Sequence, residues 1–189
     1  MEDEHLTGKN EWWEWAKALL IAVAVAGIIR FFLFTPIVVE GLSMMPTLHD
    51  GNRMIVNKFS YTLSEPSRFD VIVFHTEENS DYIKRVIGLP GDEITYKNDQ
   101  LYVNDEPVDE PYLENYKLEL NGEILTGDFT LEDLTGHKTV PSGELFVLGD
   151  NRRYSKDSRH IGTIEINEIV GDANFIFWPL NDVRIVNKN

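Results

Sequence analysis

The sequence predicts a mainly β protein: an antiparallel β-sheet domain with a small acidic β insertion, preceded by one N-terminal transmembrane helix. Three observations carry this expectation. An apolar run fills residues 18–29. After Pro36, short segments rich in Val, Ile, Phe and Tyr recur, punctuated by Pro, Gly, Asn and Asp. No long segment with 3.6-residue periodicity interrupts them. The length of 189 residues suits one domain with a modest insertion.

The apolar run is the first element. It is unbroken over residues 18–29, and after Arg30 it resumes as Phe31, Phe32, Leu33 and Phe34. That makes about 17 residues with a single charge, the lower limit for a helix crossing a bilayer core. Trp12, Trp13 and Trp15 precede it, where an interfacial aromatic belt would lie, and Pro36 is expected to end the helix. Residues 1–15 are therefore expected to be the N-terminal stretch before the span, and 16–35 the anchor. A cleaved leader fits poorly: the N-terminal stretch carries Glu2, Asp3, Glu4, Glu11 and Glu14, and apolar residues resume directly after Gly27.

Strands are expected at residues 37–40, 53–58, 71–75, 82–87, 93–97, 101–103, 144–148 and 173–178. Residues 36–91 and 142–189 are assigned to the β core, and 92–141 to an inserted subdomain. The insertion stands out by charge. From Asp92 to Asp133 there are 13 acidic residues against Lys97 and Lys117, which supplies -11 of the total -15. A solvated surface is the expected reading of such a run.

Composition excludes several function classes. A pI near 4.6 disfavours nucleic acid as a partner, because phosphate contacts need clustered Lys and Arg. Zero cysteines exclude disulfides, thiolate–metal sites and a thiol nucleophile. His49, His75, His137 and His160 show no metal-ligand spacing, so no metal and no cofactor is expected.

Three stretches carry chemistry. Gly41-Leu42-Ser43-Met44-Met45-Pro46 places a serine on an irregular turn with free backbone N–H groups nearby. A plain turn explains that stretch equally well. In Asp81-Tyr82-Ile83-Lys84-Arg85-Val86-Ile87, a period of two puts Lys84 on one strand face with Tyr82 and Val86. A lysine desolvated there has a lowered pKa and can act as a base; a salt-bridged lysine satisfies the same pattern. Gly149-Asp150-Asn151-Arg152-Arg153-Tyr154-Ser155-Lys156-Asp157-Ser158-Arg159 follows an apolar strand and has the composition of a buried hydrogen-bond network that supports a site.

Together with Arg68-Phe69-Asp70-Val71-Ile72-Val73-Phe74, and in this order after an anchor, these stretches resemble bacterial type I signal peptidases of the Gram-positive type. The resemblance implies a serine endopeptidase that removes signal peptides from exported preproteins. It implies Ser43 as nucleophile and Lys84 as general base. It implies Ser155 as the hydroxyl that orients the lysine amine, and Asp157 with Arg159 as an ion pair holding that loop. The oxyanion hole would use the Ser43 N–H. Where some relatives supply a serine hydroxyl two residues earlier, this chain has Gly41, so a backbone donor there must suffice.

Substrate is expected to lie extended between the Asp81–Tyr82–Ile83 edge and residues 39–42. Shallow pockets from Ile37, Val39, Met44, Leu48 and Ile83 would admit only small side chains at the residue before the cut and two earlier. The expected partners are signal-peptide-bearing preproteins, membrane lipid and the secretion translocon, with no nucleic acid. The expected location is the cell membrane, single-pass, with the N-terminus cytoplasmic and the catalytic domain outside. The rival class is a non-catalytic bitopic membrane protein whose β domain binds an extracytoplasmic partner; it has no use for a base on a half-apolar strand face.

Overall fold

The computed structural model describes residues 7–76 and 80–186. They fall into two compact units, Met1–Thr35 and Pro36–Asn189.

The first unit is helix α1 (Thr7–Leu33). It begins nine residues before the expected anchor of residues 16–35 and closes earlier, at Leu33. Pro36 lies inside strand β1 (Phe34–Val38). The residue before a proline is pushed out of the α region, so Thr35 is already extended and the helix cannot run up to Pro36. Trp12, Trp13, Trp15, Leu19, Leu20, Ile21 and Val23 are 60–76% exposed within this unit. Among the described residues no helix is long and apolar enough to cross a membrane. The side chains at 28–33, which belong to the expected anchor, lie outside those described.

The second unit continues from β1 through β2 (Arg53–Asn57), helix α2 (Ser60–Leu63), β3 (Val71–His75), β4 (Asp81–Gly88), β5 (Ile94–Lys97), β6 (Gln100–Val103) and β7 (Glu106–Val108). Helix α3 (Pro111–Glu119), β8 (Phe129–Thr130) and helix α4 (Leu131–Thr135) come next. β9 (Glu144–Leu148), helix α5 (Ser158–Ile161), β10 (Ile164–Glu165), β11 (Ile169–Trp178) and β12 (Arg184–Ile185) complete it. The fold is mainly antiparallel β, as the sequence predicts. Helices α3 and α4 have no counterpart in the sequence reading. Only Leu113 of α3 is fully buried, so its apolar stripe is too thin to read as a period. Pro111 at its start pre-sets the first turn.

Among the described residues, two sheets form. The larger runs β1-β2-β11-β3-β4-β9-β10, with β12 also paired to β11; the smaller runs β7-β6-β5-β8. β11 serves β2, β3 and β12, and its register shifts near Asp172 and Ile176 let one strand bend between partners. The acidic stretch builds the smaller sheet, and its interior is apolar. Ile94, Tyr96, Leu101, Val103 and Leu131 pack with Ile87, Phe146 and Leu148 of the larger sheet in one buried cluster. Burial across that junction is the hydrophobic term that joins the two sheets.

Strand β4 positions the site. β3 pairs with it along its length, from His75 opposite Asp81 to Val71 opposite Arg85. β9 pairs its other edge only from Arg85 onward. Over residues 81–84 that second edge has no strand partner among the described residues, which leaves ladder groups available to a peptide.

Candidate active site

Ser43 sits on the turn that follows Val39, half-buried. The chain is pinned just before it: the Val39 N–H donates to the Asn52 carbonyl at 2.8 Å, and the Val39 carbonyl accepts from the Gly51 N–H at 2.9 Å. Gly41 adopts φ +88°, a left-handed conformation that glycine reaches without strain. Its N–H donates to Asp50 Oδ1 at 2.8 Å. That bond occupies the only backbone proton that Gly41 has for the expected oxyanion-hole role. The Ser43 N–H makes no hydrogen bond among the described residues and stays available to a developing oxyanion.

Lys84 rises from the open stretch of β4 and is 3% exposed. Its Nζ donates to Ser43 Oγ and to the Ile83 carbonyl, both at 2.9 Å, and lies 4.9 Å from the centre of the Tyr82 ring. Burial lowers its pKa from 10.5 to about 8, against the opposing pull of the Asp157 and Asp150 carboxylates. A half-neutral amine near pH 8, in hydrogen-bond contact with a serine hydroxyl, can take that hydroxyl's proton.

The loop after β9 closes over this pair. The Asn151 N–H donates to the Ser43 carbonyl at 3.0 Å, and Asn151 Nδ2 donates to the Leu42 carbonyl at 3.0 Å. Gly149 allows the approach: a Cβ there would collide with Ser155 Oγ and the Ser43 carbonyl. Asp157 caps α5, accepts from the Gly149 N–H at 3.0 Å, and holds Arg159 through two bonds of 2.8 Å. Burial alone would raise the Asp157 carboxyl; Arg159 and the Gly149 N–H together hold it below the usual range.

Ser155, expected to orient the lysine amine, lies in the same loop. Its hydroxyl is buried beside Gly149 and faces the Asp157 carboxylate, which it helps to hold below the usual range, while the lysine amine donates to the Ile83 carbonyl. Leu48 departs from its expected place. It is fully buried in the core with Met54 and Ile176, so it supports the turn from below and cannot touch a peptide. Ile37, Val39, Met44, Asp81, Tyr82 and Ile83 do line a groove of about 710 Å³ that reaches Ser43 and Lys84.

Beneath the site lies a charged network that sequence reasoning missed in its partners. Arg85, fully buried, binds both oxygens of Asp150 at 2.8 and 2.7 Å and stacks 3.9 Å from the centre of the Tyr112 ring. Arg152, also buried, donates to Glu110, to Tyr96 Oη at 2.7 Å, and to its own loop at the Gly149 carbonyl at 3.1 Å. The available signal was Arg85 itself: its strand face carries Ile83 and Ile87, and a guanidinium among isoleucines demands a buried acid.

These features define a class: a β-sheet protein with a serine and a buried lysine of lowered pKa in a groove beside an open strand edge. Comparison with known proteins gives the family. Residues 12–178 match the family model of signal peptidase, peptidase S26. The chain is 58% identical over 167 residues to a signal peptidase I of Bacillus caldolyticus, covering 88% of this chain and 90% of that one. It is 44% identical over 181 residues to signal peptidase IB of Staphylococcus aureus, covering 93% and 94%. A solved signal peptidase I from Enterococcus faecalis V583 matches with a TM-score of 0.55 at 42% identity, covering 58% of this chain and 97% of that one. The chain belongs to the signal peptidase family, peptidase S26. It is a serine endopeptidase acting on signal-peptide-bearing preproteins, and the non-catalytic reading is set aside.

Proposed function

We propose that Ser43 is the nucleophile and Lys84 the general base in the cleavage of signal peptides. The observation that carries this is the 2.9 Å contact between Lys84 Nζ and Ser43 Oγ, on a lysine whose pKa burial lowers to about 8. With the amine neutral, Ser43 Oγ–H donates to it and the oxygen attacks the scissile carbonyl. The Ser43 N–H receives the oxyanion. The ammonium then returns its proton to the departing amine, and water repeats the cycle on the acyl-enzyme.

Substrate lies along the unpartnered edge of β4 at residues 81–83. Ile37, Val39, Met44 and Ile83 line the groove with apolar side chains, and small side chains before the cut fit this reading of cleavage after small-x-small sequences. Asp157 and Arg159 hold the loop that covers the lysine. The exposed apolar side chains of α1 support an anchor in membrane lipid, with the N-terminus cytoplasmic and the β unit on the outer face, next to the secretion translocon.

The test is a purified preprotein with mass analysis of its product termini. Ser43→Ala and Lys84→Ala each abolish cleavage while the far-ultraviolet spectrum stays native; substantial turnover in either removes the dyad. Protease accessibility in cells stripped of their walls tests orientation, since a β unit protected from external protease places it on the wrong side.

A further inference from the structure

A second cavity of about 420 Å³ adjoins the groove and is lined by Phe74, Thr76, Tyr82, Thr163, Glu165 and Glu168, among others; Tyr82 and Lys156 line both spaces. We infer that this cavity receives the first residues of the mature protein, those just after the scissile bond, and that it favours a cationic side chain there. The inference rests on the Ser43/Lys84 reading above.

The argument starts from strand topology. A peptide laid on the β4 edge has ladder groups only at residues 81–84, because β9 occupies that edge from Arg85. It therefore cannot continue straight past the dyad, and the chain beyond the cut must turn off the line of the strand. The faces of β4 decide where it turns. Ile83 points into the core face shared with Val39, Met44 and Val73, where the small-residue pockets lie. Tyr82 packs on the opposite face, with Phe74 and Ile164.

Proton chemistry selects between these faces. The ammonium of Lys84 must reach the leaving nitrogen, so that nitrogen lies within hydrogen-bond distance of Nζ. Nζ is against the Tyr82 ring, 4.9 Å from its centre. The departing segment thus starts at the wall that the two cavities share, and the 420 Å³ space is the one next to it. Its floor is apolar, from Phe74 and Ile164, both buried. Its rim carries the exposed carboxylates of Glu165 and Glu168, which outnumber the one lysine there, Lys156 on the shared wall; His75 also lines the cavity. An apolar floor with an acidic rim suits a side chain with a methylene stem and a cationic end, as in lysine or arginine.

The experiment uses the full-length enzyme in detergent and a set of peptides that share one signal-peptide half. The first and second residues after the cut are varied in turn among Ala, Glu and Lys. Wild type is expected to cleave the best Lys peptide about two- to fivefold faster in kcat/KM than its Glu counterpart, the range of a partly exposed ion pair. Charge reversal by Glu165→Lys with Glu168→Lys inverts that preference. Equal rates for Lys and Glu peptides, or a reversal variant that slows all peptides alike, overturns the inference. So does a preference that follows the residue before the small residue at the cut, because that assigns the cavity to the signal-peptide half. Failure of wild type to cleave even the Ala peptide strikes instead at the dyad reading.

Discussion

Arg152 and Glu110, 42 positions apart in the chain, form a buried ion pair whose side chains are 0% and 2% exposed. Arg152 belongs to the loop that covers Ser43; Glu110 belongs to the acidic stretch between the two halves of the larger sheet. Tyr96 and Tyr112 donate to the same Glu110 carboxylate, at 2.8 and 2.7 Å. Burial would raise the Glu110 carboxyl, but Arg152 and the two phenols hold it below the usual range. Glu110 is thus structural, and it fastens the catalytic loop to the smaller sheet.

Removing that acid leaves an uncompensated guanidinium in the interior. Glu110→Ala is expected to lower stability by about 3–5 kcal/mol, the cost of breaking a buried pair from one side. Urea denaturation at pH 7 measures it. Glu106→Ala, an exposed acid in β7, serves as the control and stays within about 0.5 kcal/mol of the parent.

The pH dependence of Lys84 has a definite sign. Its folded pKa of about 8 lies below its unfolded value of 10.5, so between those values the unfolded state binds the extra proton. The group therefore opposes folding in full below about pH 8, and the penalty fades as pH rises to 10.5. That difference is worth about 3 kcal/mol. The stability gap between Lys84→Met and the parent should shrink by about that amount from pH 7 to pH 10.5 in paired denaturation curves. The same pKa places the rising limb of kcat/KM near pH 8 in the parent.

Gly149 is required by space. Its Cβ position is already filled by Ser155 and the Ser43 carbonyl, so Gly149→Ala must push the loop away from the nucleophile turn. Overpacking of this kind costs about 1–3 kcal/mol. We expect a lower Tm and a fall in kcat larger than the change in KM, because the displaced partner is the backbone of Ser43. A variant with parental kcat would show that the loop can shift at no cost to the dyad.

Asp50 holds the turn from the other side through the Gly41 N–H. Asp50→Ala removes one hydrogen bond at the surface and should reduce kcat/KM about two- to tenfold, with the pH of the rising limb unchanged. Steady-state kinetics across pH separates this effect from any change in Lys84.

Much of this protein follows from local patterns. Short apolar runs rich in Val, Ile and Phe mark β3 and β9 at their observed limits, and Ser43 and Lys84 stand out because of their immediate neighbours. Period two also puts Arg85 opposite Lys84, a fact local to the strand. The limits of the sequence reading are physical as well. Leu48 reads as a pocket wall because it lies near Ser43 in sequence, but core packing turns it inward. Gly41 reads as a donor, yet a carboxylate nine residues away claims its N–H. Glu110 reads as one more solvated acid, since nothing near it in the chain announces Arg152.

The sequence by itself determined the β class, the helical N-terminus, and the two residues that meet at 2.9 Å. Only the tertiary structure decided which groups face them: the open edge of β4, the Gly149 contact, the Glu110 clamp and the cavity beyond Tyr82. The physical reason is range. Strand periodicity and turn chemistry act over a few residues, whereas burial, ion pairing and the end of a β ladder depend on chain segments brought together from as far as 137 positions apart, as Thr47 and Arg184 are.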